Sequence, residues 1–253
     1  MIRLAAVGDV HFGEDSAGTL RPHLKDLSER ADVLLLAGDL THVGRAAEGA
    51  VLARELSGLG VPCVAVLGNH DYHLNEQDEI RHLLTECGVR VLEGETCVLD
   101  VGGQRLGIAG TKGFGGGFAG ACGSDFGEPE MKAFIEHTKL HASRLEQSLR
   151  SLDADRRIAL LHYSPIEGTL HGERLEIYPF LGSYLLAEAI DRAGADIVFH
   201  GHAHAGTEKG VTPGGIPVRN VSQPLIRHAF NLYVLDGEAS PEMAQTSGGR
   251  TSE

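Results

Sequence analysis

Cysteine is scarce in this 253-residue chain, and tryptophan is absent. The four cysteines, Cys63, Cys87, Cys97 and Cys122, are scattered and form no C-x-x-C pair. This spacing argues against a disulfide framework and against a structural zinc site built from cysteine pairs. It favours a reducing, cytoplasmic compartment.

Long apolar runs are also missing. No stretch of about 18 consecutive apolar residues occurs, so the sequence predicts no membrane span. The chain opens on a short strand-like run at residues 2–7, without the charged region and longer apolar stretch of a signal peptide. We therefore expect a protein that is not secreted and has no membrane partner.

Basic residues are fewer than acidic residues. Lys and Arg number 22 against 35 Asp and Glu, which gives a formal net charge of −13. Proteins that bind nucleic-acid polymers through their phosphates usually present a basic face, and no cluster of Lys and Arg stands in this sequence. A polynucleotide partner is therefore not expected. Most of the acidic residues are interpreted as solvated surface. Histidine, by contrast, is frequent, at 14 residues.

Apolar runs alternate with helical patterns along the chain. Strands are predicted at residues 2–7, 33–37, 61–67, 89–92, 96–101, 105–109, 158–161, 196–199, 216–221 and 231–235. Helices are predicted at residues 20–30, 46–59, 130–152 and 184–193. Short apolar strands between helices indicate parallel strands covered on both faces, so the fold class is α/β.

The chain length fits one domain, predicted to span residues 1–237. Residues 238–253 are rich in Ser, Gly, Thr and Glu and predict a disordered tail. Residues 110–127 contain eight glycines, and Gly115, Gly117 and Gly120 match a dinucleotide-binding fingerprint by spelling. No helix opens directly after them, so we interpret the segment as a mobile loop near the active site.

Polar motifs follow five of the predicted strands. They are Asp9-Val10-His11, Gly38-Asp39, Gly68-Asn69-His70-Asp71, His162 and His200-Gly201-His202-Ala203-His204. In an open α/β sheet, the loops after parallel strands converge on one crevice. Each motif alone is common in turns, caps and surface pairs, but the ordered set predicts a shared site.

The residue types at these positions are those of a metal site. Carboxylate oxygen, amide oxygen and imidazole nitrogen suit divalent Mn, Fe, Zn or Co, of which Mn and Fe are favoured here. Two such ions held side by side are a usual arrangement for cleaving phosphate esters. An acidic chain that must meet a phosphate also needs cations, and metal ions are the obvious source.

The five motifs, taken together, resemble those of the calcineurin-like metallophosphoesterases, whose pattern runs D-x-H, G-D, G-N-H, H and G-H-x-H. The resemblance covers the chain from Asp9 to His204. It implies a four-layer αββα sandwich, with two mixed β-sheets packed face to face and helices outside.

The resemblance also implies two metal ions that share one carboxylate. One ion would be bound by Asp9, His11, Asp39 and His204, and the other by Asp39, Asn69, His162 and His202. Asp39 would bridge the ions, and a hydroxide held between them would be the nucleophile. His70 would protonate the leaving oxygen or steady the transition state, with Asp71 orienting it.

The motif Gly68-Asn69-His70-Asp71 looks more like the bacterial phosphodiesterase branch than the Ser/Thr protein phosphatases. One departure is His42, where many phosphodiesterase relatives have Asp.

The leading hypothesis is hydrolysis of a small phosphodiester, for example a cyclic nucleotide. The alternatives are a broad phosphomonoesterase and a binding scaffold that has lost catalysis. Two interpretations, substrate contact and surface residue, remain for Lys112, His73, His171, Arg174 and Tyr178. His137 and His141 are interpreted as a solvated helix edge.

Overall fold

A computed structural model describes residues 1–236 of the chain. The predicted tail at 238–253 lies outside the described residues. The strands are β1 (Ile2–Val7), β2 (Val33–Ala37), β3 (Cys63–Val66), β4 (Val89–Val91), β5 (Glu95–Val101), β6 (Gln104–Thr111), β7 (Gly117–Phe118), β8 (Ala121–Cys122), β9 (Arg156–Leu161), β10 (Ile197–His200), β11 (Lys209–Val211), β12 (Pro217–Asn220) and β13 (Asn231–Leu235).

The α-helices of the same region differ widely in length. They are α1 (Leu27–Arg30), α2 (Ala46–Leu56), α3 (Gln77–Glu86), α4 (Pro129–Ser151), α5 (Tyr178–Leu181), α6 (Tyr184–Ala193) and α7 (Gln223–Ile226). Pro129 stands at the first helical position of α4, where its missing N–H costs nothing. Ser183 caps α6, with its side chain accepting a hydrogen bond from the N–H of Leu185.

Two large mixed sheets form the centre of the molecule. The first has the strand order β13-β1-β2-β3-β4, and the second has the order β11-β12-β10-β9-β6-β5. In the first sheet β1, β2, β3 and β4 are parallel and β13 is antiparallel. In the second, β6, β9, β10 and β12 are parallel, and β5 and β11 close the edges antiparallel. Every motif of the predicted site follows one of the parallel strands.

The two sheets pack face to face through alternate residues of their strands. Val33, Leu35 and Ala37 of β2 belong to the core between the sheets, together with Ile158 and Leu160 of β9. The intervening side chains of β2 and β9 point the other way and are also buried. This double burial explains why the strands read as continuous apolar runs rather than alternating ones.

Helices cover both outer faces. Leu34 and Leu36 of β2 pack with Leu52 of α2 and Ile80 of α3 on the outer side of the first sheet. A separate cluster joins α4 and α6 to the outer side of the second sheet, through residues that include Ala142, Leu145, Leu149, Ala159, Leu186 and Ile190. The layers are therefore helix, sheet, sheet and helix, which confirms the predicted αββα sandwich.

Several local predictions need correction. The single helix predicted at 20–30 is two pieces, a 3-10 turn at Arg21–Leu24 and the short α1. Helix α3 was missed. The glycine-rich segment 110–127 contains the small hairpin of β7 and β8, paired through Gly117 and Cys122. Within the described region, no helix has both the length and the apolar character needed to cross a membrane.

Candidate metal centre

The predicted ligands come from both sheets. Asp9, Asp39 and Asn69 follow β1, β2 and β3 of the first sheet, whereas His162 and His202 follow β9 and β10 of the second. Backbone hydrogen bonds tie the first two loops together, because the N–H of Asp9 donates to the carbonyl of Gly38 and that of His11 donates to the carbonyl of Asp39. The site therefore lies where the carboxyl ends of two stacked sheets meet, and not in the crevice of one open sheet.

The backbone is strained at these loops. Asp9, His11, Asp39 and His202 have φ values of 55°, 43°, 50° and 69°, in the left-handed region that residues other than glycine rarely adopt. Strain of this kind costs about 1–3 kcal/mol per residue and is retained where function needs it. Its concentration in four predicted ligands marks the site independently of the side chains.

Asp9, His11 and His204 form a first cluster, whose ligand atoms lie within 4.8 Å of one another. His204 Nε2 lies 3.0 Å from Asp9 Oδ1, and the backbone N–H of His202 donates to both oxygens of the same carboxylate. Asp9 is almost fully buried, while His204 is partly exposed.

Asp39, His162 and His202 form a second cluster of the same kind. His162 Nε2 lies 3.2 Å from Asp39 Oδ1 and 2.9 Å from Asn69 Oδ1. The other ring nitrogen of His162 donates to the carbonyl of Ala37 at 3.0 Å. Nε2 is then left without a proton, facing two oxygens that also carry lone pairs. Such a convergence of acceptors is favourable once a cation lies between them.

Asp39 stands between the clusters. While Oδ1 faces His162, Oδ2 lies 3.9 Å from His11 Nε2 and 3.8 Å from His70 Nε2. His11, Asp39 and His70 form a third group with ligand atoms within 4.8 Å. The central position of Asp39 matches the bridging role that the family resemblance implies.

Two glycines permit this crowding of ligands. A Cβ added to Gly68 would lie 2.1 Å from Asp39 Oδ1, and one added to Gly201 would lie 2.3 Å from Asp9 Oδ2. Real contacts are never so short, so any side chain at either position would displace a carboxylate. The glycines of the G-N-H and G-H-x-H motifs are therefore required by space.

Burial keeps three of the four proposed imidazole ligands neutral, whereas the hydrogen bond with Asp9 raises the pKa of His204. It lowers the pKa of His11 to about 4 and that of His202 to about 3, and it lowers the pKa of His162 well below its usual value. Burial raises the pKa of Asp9 to about 6, with a further rise from the nearby charge of Asp39. Near neutral pH the three histidines therefore offer lone pairs and Asp9 is mostly ionised, which is the donor state that metal binding needs.

The residues present fit divalent metal ions. Both ring nitrogens of His11 are buried and have no hydrogen-bond partner among the described residues. Buried polar atoms of this kind are rare in proteins and call for an explanation such as a bound ion. Oxygen and imidazole donors in two clusters that are linked through His11 and Asp39 provide that explanation.

The proposed proton donor lies beside the clusters. His70 is partly exposed, and its backbone N–H donates to Asp39 Oδ1 at 2.9 Å. Its Nδ1 lies 2.6 Å from the carbonyl oxygen of His42 and can only donate to it, so Nε2 is left to face the site. The sequence reasoning therefore missed this contact of His42, although it named the residue. Its contact comes from the backbone, so the departure from Asp at this position does not alter it.

Asp71 has a different task from the one expected. Its buried carboxylate accepts hydrogen bonds from the N–H groups of Leu40, Thr41 and Gly68 and from the hydroxyl of Thr41, at 2.6–3.1 Å. These four contacts occupy the carboxylate and lock the Asp39 loop to the Asn69 loop. The orienting contact to the His70 ring comes from His42, which corrects the prediction for Asp71.

A second polar group lies next to the centre. Lys112 is buried among the rings of Tyr72, Phe114 and Tyr163. His141 is also buried, with Nδ1 2.9 Å from the hydroxyl oxygen of Thr111, so its predicted position on a solvated edge is wrong. Pattern reasoning named both residues but could not predict their burial, because a helix edge and a loop lysine have the same sequence pattern whether exposed or buried.

The other open residues form no hydrogen bond or ion pair with the proposed ligands in the part of the chain that the structure describes. Tyr178 is buried, and its hydroxyl donates to the carbonyl of Leu170. Arg174 is exposed and pairs with Glu176 at 3.6 Å, and His73 and His171 are exposed.

The sequence model of the calcineurin-like phosphoesterases matches residues 2–206. The chain belongs to this family. It is therefore a metal-dependent phosphoester hydrolase, which confirms the prediction of an enzyme. No curated protein sequence matches the chain significantly.

Solved structures share the fold. Phosphopantetheinyl hydrolase (PptH) from Mycobacterium tuberculosis is 17% identical, with a TM-score of 0.65 over 94% of this chain and 98% of that one. TT1561 of Thermus thermophilus is 19% identical, with a TM-score of 0.53 over 88% of this chain and 90% of that one. At these identities the likeness establishes the common architecture and not a substrate.

Proposed function

We propose that the protein hydrolyses a small phosphodiester, for example a cyclic nucleotide, with two divalent metal ions. The observation that carries this proposal is a pair of donor clusters linked by Asp39, which belongs to the second cluster and forms a further group with His11 of the first. Asp9, His11, Asp39 and His204 would hold one ion, and Asp39, Asn69, His162 and His202 would hold the other. The reducing compartment suggested by its free cysteines makes the cytoplasm the proposed location.

Mn and Fe are the proposed ions, because the site combines imidazole with carboxylate and amide oxygens and contains no thiolate. Two such ions would supply Lewis-acid charge to the phosphoryl oxygens and an activated water at neutral pH. The chain itself contributes the positions of the donors, since four of them are fixed on strained backbone and their loops are tied together by hydrogen bonds.

His70 supports a hydrolytic rather than a binding role. Its Nδ1 is fixed by the carbonyl of His42, and its partly exposed ring faces the shared carboxylate. A histidine held in this way can deliver a proton from Nε2 to a leaving oxygen. The sequence retains all seven proposed ligands and His70, so the scaffold alternative has no supporting observation. Phosphomonoester hydrolysis remains the second candidate, because the same ions and histidine serve either ester.

Removal of metal ions is expected to abolish hydrolysis. Asp9 and Asp39 are both buried and carry like charges, so the site needs cations to hold its geometry. Exhaustive chelation should abolish hydrolysis of bis(4-nitrophenyl) phosphate, and addition of Mn should restore its rate. Comparing this rate with that for 4-nitrophenyl phosphate ranks diester against monoester. A sample carried through the same treatment without added Mn is the control. Full activity in metal-free protein would exclude the two-metal mechanism.

DNA and RNA are expected to be poor substrates compared with a small diester. The chain carries a net charge of −13, and its field repels a polyanion at long range. Two metal ions can neutralise one phosphate group but not a tract of backbone. Rates on single- and double-stranded DNA should be compared with those on a cyclic nucleotide at low and moderate salt. Efficient DNA cleavage that falls steeply with salt would contradict this prediction.

A further inference from the structure

Lys112 is a buried cation attached to the wall of the metal centre. It is 7% exposed, and its carbonyl oxygen accepts hydrogen bonds from the N–H groups of His162 and Tyr163 at 3.1 and 3.0 Å. The backbone of Lys112 is therefore fixed to the loop that carries a proposed ligand. Because His162 belongs to the second cluster, the backbone of Lys112 lies next to that cluster.

The side chain ends in a cage of aromatic rings. Nζ lies 4.9 Å from the ring centre of Tyr72, 5.1 Å from that of Phe114 and 5.4 Å from that of Tyr163. Aromatic faces at these distances attract an ammonium group, but they satisfy none of its three N–H donors with a strong acceptor. Among residues 1–236, the ammonium has no hydrogen bond and no ion pair. Burial lowers the pKa of Lys112, while the carboxylates of Glu93 and Asp39 favour its charged form.

The cage and the second cluster share a wall. The ring of Tyr163 lies 4.5 Å from that of His202 and 5.4 Å from that of His162. Tyr72 ends the short 3-10 turn that begins at His70. The ring of Tyr163 therefore lies against both the Lys112 ammonium and the imidazoles of the second cluster.

Glu93 offers a simpler explanation that must be tested. Its carboxylate accepts hydrogen bonds from the hydroxyl of Tyr72 at 2.7 Å and from the N–H of Leu67 at 3.1 Å. Lys112 could serve only as a distant counter-ion of this carboxylate. However, Glu93 has hydrogen-bond partners of its own, whereas the donors of Lys112 have none among the described residues.

We propose that Lys112 is a substrate-binding residue whose ammonium group donates to a non-bridging phosphate oxygen held beside the second cluster. The proposal rests on the proposed function and adds a positive side chain to the two metal ions. Because inorganic phosphate is the simplest carrier of such oxygens, it serves as a probe that does not depend on turnover.

The test combines calorimetric titration of Mn-loaded protein with inorganic phosphate and the KM for bis(4-nitrophenyl) phosphate. Lys112→Met keeps the length of the side chain and should weaken phosphate binding about 10- to 100-fold, the value of a hydrogen bond from a charged donor. KM should rise by a similar factor, while the Mn content stays unchanged. Lys132→Met, on the exposed face of α4, is the matched control and should behave as wild type.

Glu93→Gln distinguishes substrate binding by Lys112 from a counter-ion role, through the direction in which phosphate affinity changes. It removes the charge that competes for Lys112, so phosphate should bind about 2- to 5-fold more tightly. Phosphate affinity within twofold of wild type in Lys112→Met, with both ions bound, would overturn the proposal. If that variant does not fold, unchanged or weaker binding in Glu93→Gln would overturn it instead. If wild-type protein hydrolyses no ester, the proposed function fails, but the titration still decides the role of Lys112.

Discussion

Asp39→Asn is expected to lose both metal ions and, with them, hydrolysis. The two oxygens of this carboxylate face different clusters, with His162 Nε2 3.2 Å from Oδ1 and His11 Nε2 3.9 Å from Oδ2. Even a residue that only supports a ligand typically contributes 10- to 100-fold to metal affinity. Loss of a shared carboxylate should therefore lower the affinity for each ion by more than about 100-fold. Metal analysis after dialysis measures this loss.

Asp9→Asn is the matched control for this experiment. Asp9 belongs to the first cluster alone, so its variant should lose one ion and keep the other. Without metal, Asp39→Asn should be at least as stable to heat as wild type, because it removes one of two buried like charges. Added Mn should raise the Tm of wild type but not that of Asp39→Asn. Two tightly bound ions per chain in Asp39→Asn would contradict the bridging assignment.

His70→Ala is expected to keep its metal ions and lose about 10²- to 10⁴-fold in kcat, the usual contribution of a positioned general acid. The loss should depend on the leaving group. A 4-nitrophenolate leaves readily without a proton, so its esters should be affected less than esters of phenol or of an alcohol. The rates of both kinds of ester, measured with Mn-loaded protein, give this dependence.

His82→Ala provides the control for His70→Ala, because His82 is an exposed histidine on α3 that pairs only with Glu86 among the described residues. Its kcat should match that of wild type for every ester. An equal loss for good and poor leaving groups in His70→Ala would show that this histidine steadies the transition state without transferring a proton. Loss of metal in His70→Ala would instead make it a ligand of the third group that His11, Asp39 and His70 form.

The secondary structure was predictable where burial on both faces produced continuous apolar runs. Strands β1 and β2, which are buried on both faces, have the predicted bounds. Strand β13 and helix α6 also have them, although each is partly exposed. Helix α3 was missed because only Ile80 and Leu84 are buried along it, too few to give a clear period in the sequence. The predicted helix at 20–30 is interrupted after Leu24 and continues as the short helix α1 from Leu27.

The residue types and their order along the chain determined the chemistry of the site. Asp9, His11, Asp39, Asn69, His162, His202 and His204 could be named as candidate ligands from the sequence, because each follows an apolar strand and carries an oxygen or imidazole donor. The ends of parallel strands gather in space, so the local pattern was sufficient to predict that these side chains meet.

Only the tertiary structure decided how they meet. Stacking of two sheets, which no local period encodes, brings Asp39 of one sheet to His162 of the other. The roles of His42, Asp71 and Lys112 depend on contacts between residues about 20 to 50 positions apart, made through a backbone carbonyl, backbone N–H groups and aromatic rings. Sequence records which groups a residue carries, whereas its partners are set by packing between layers that are distant along the chain.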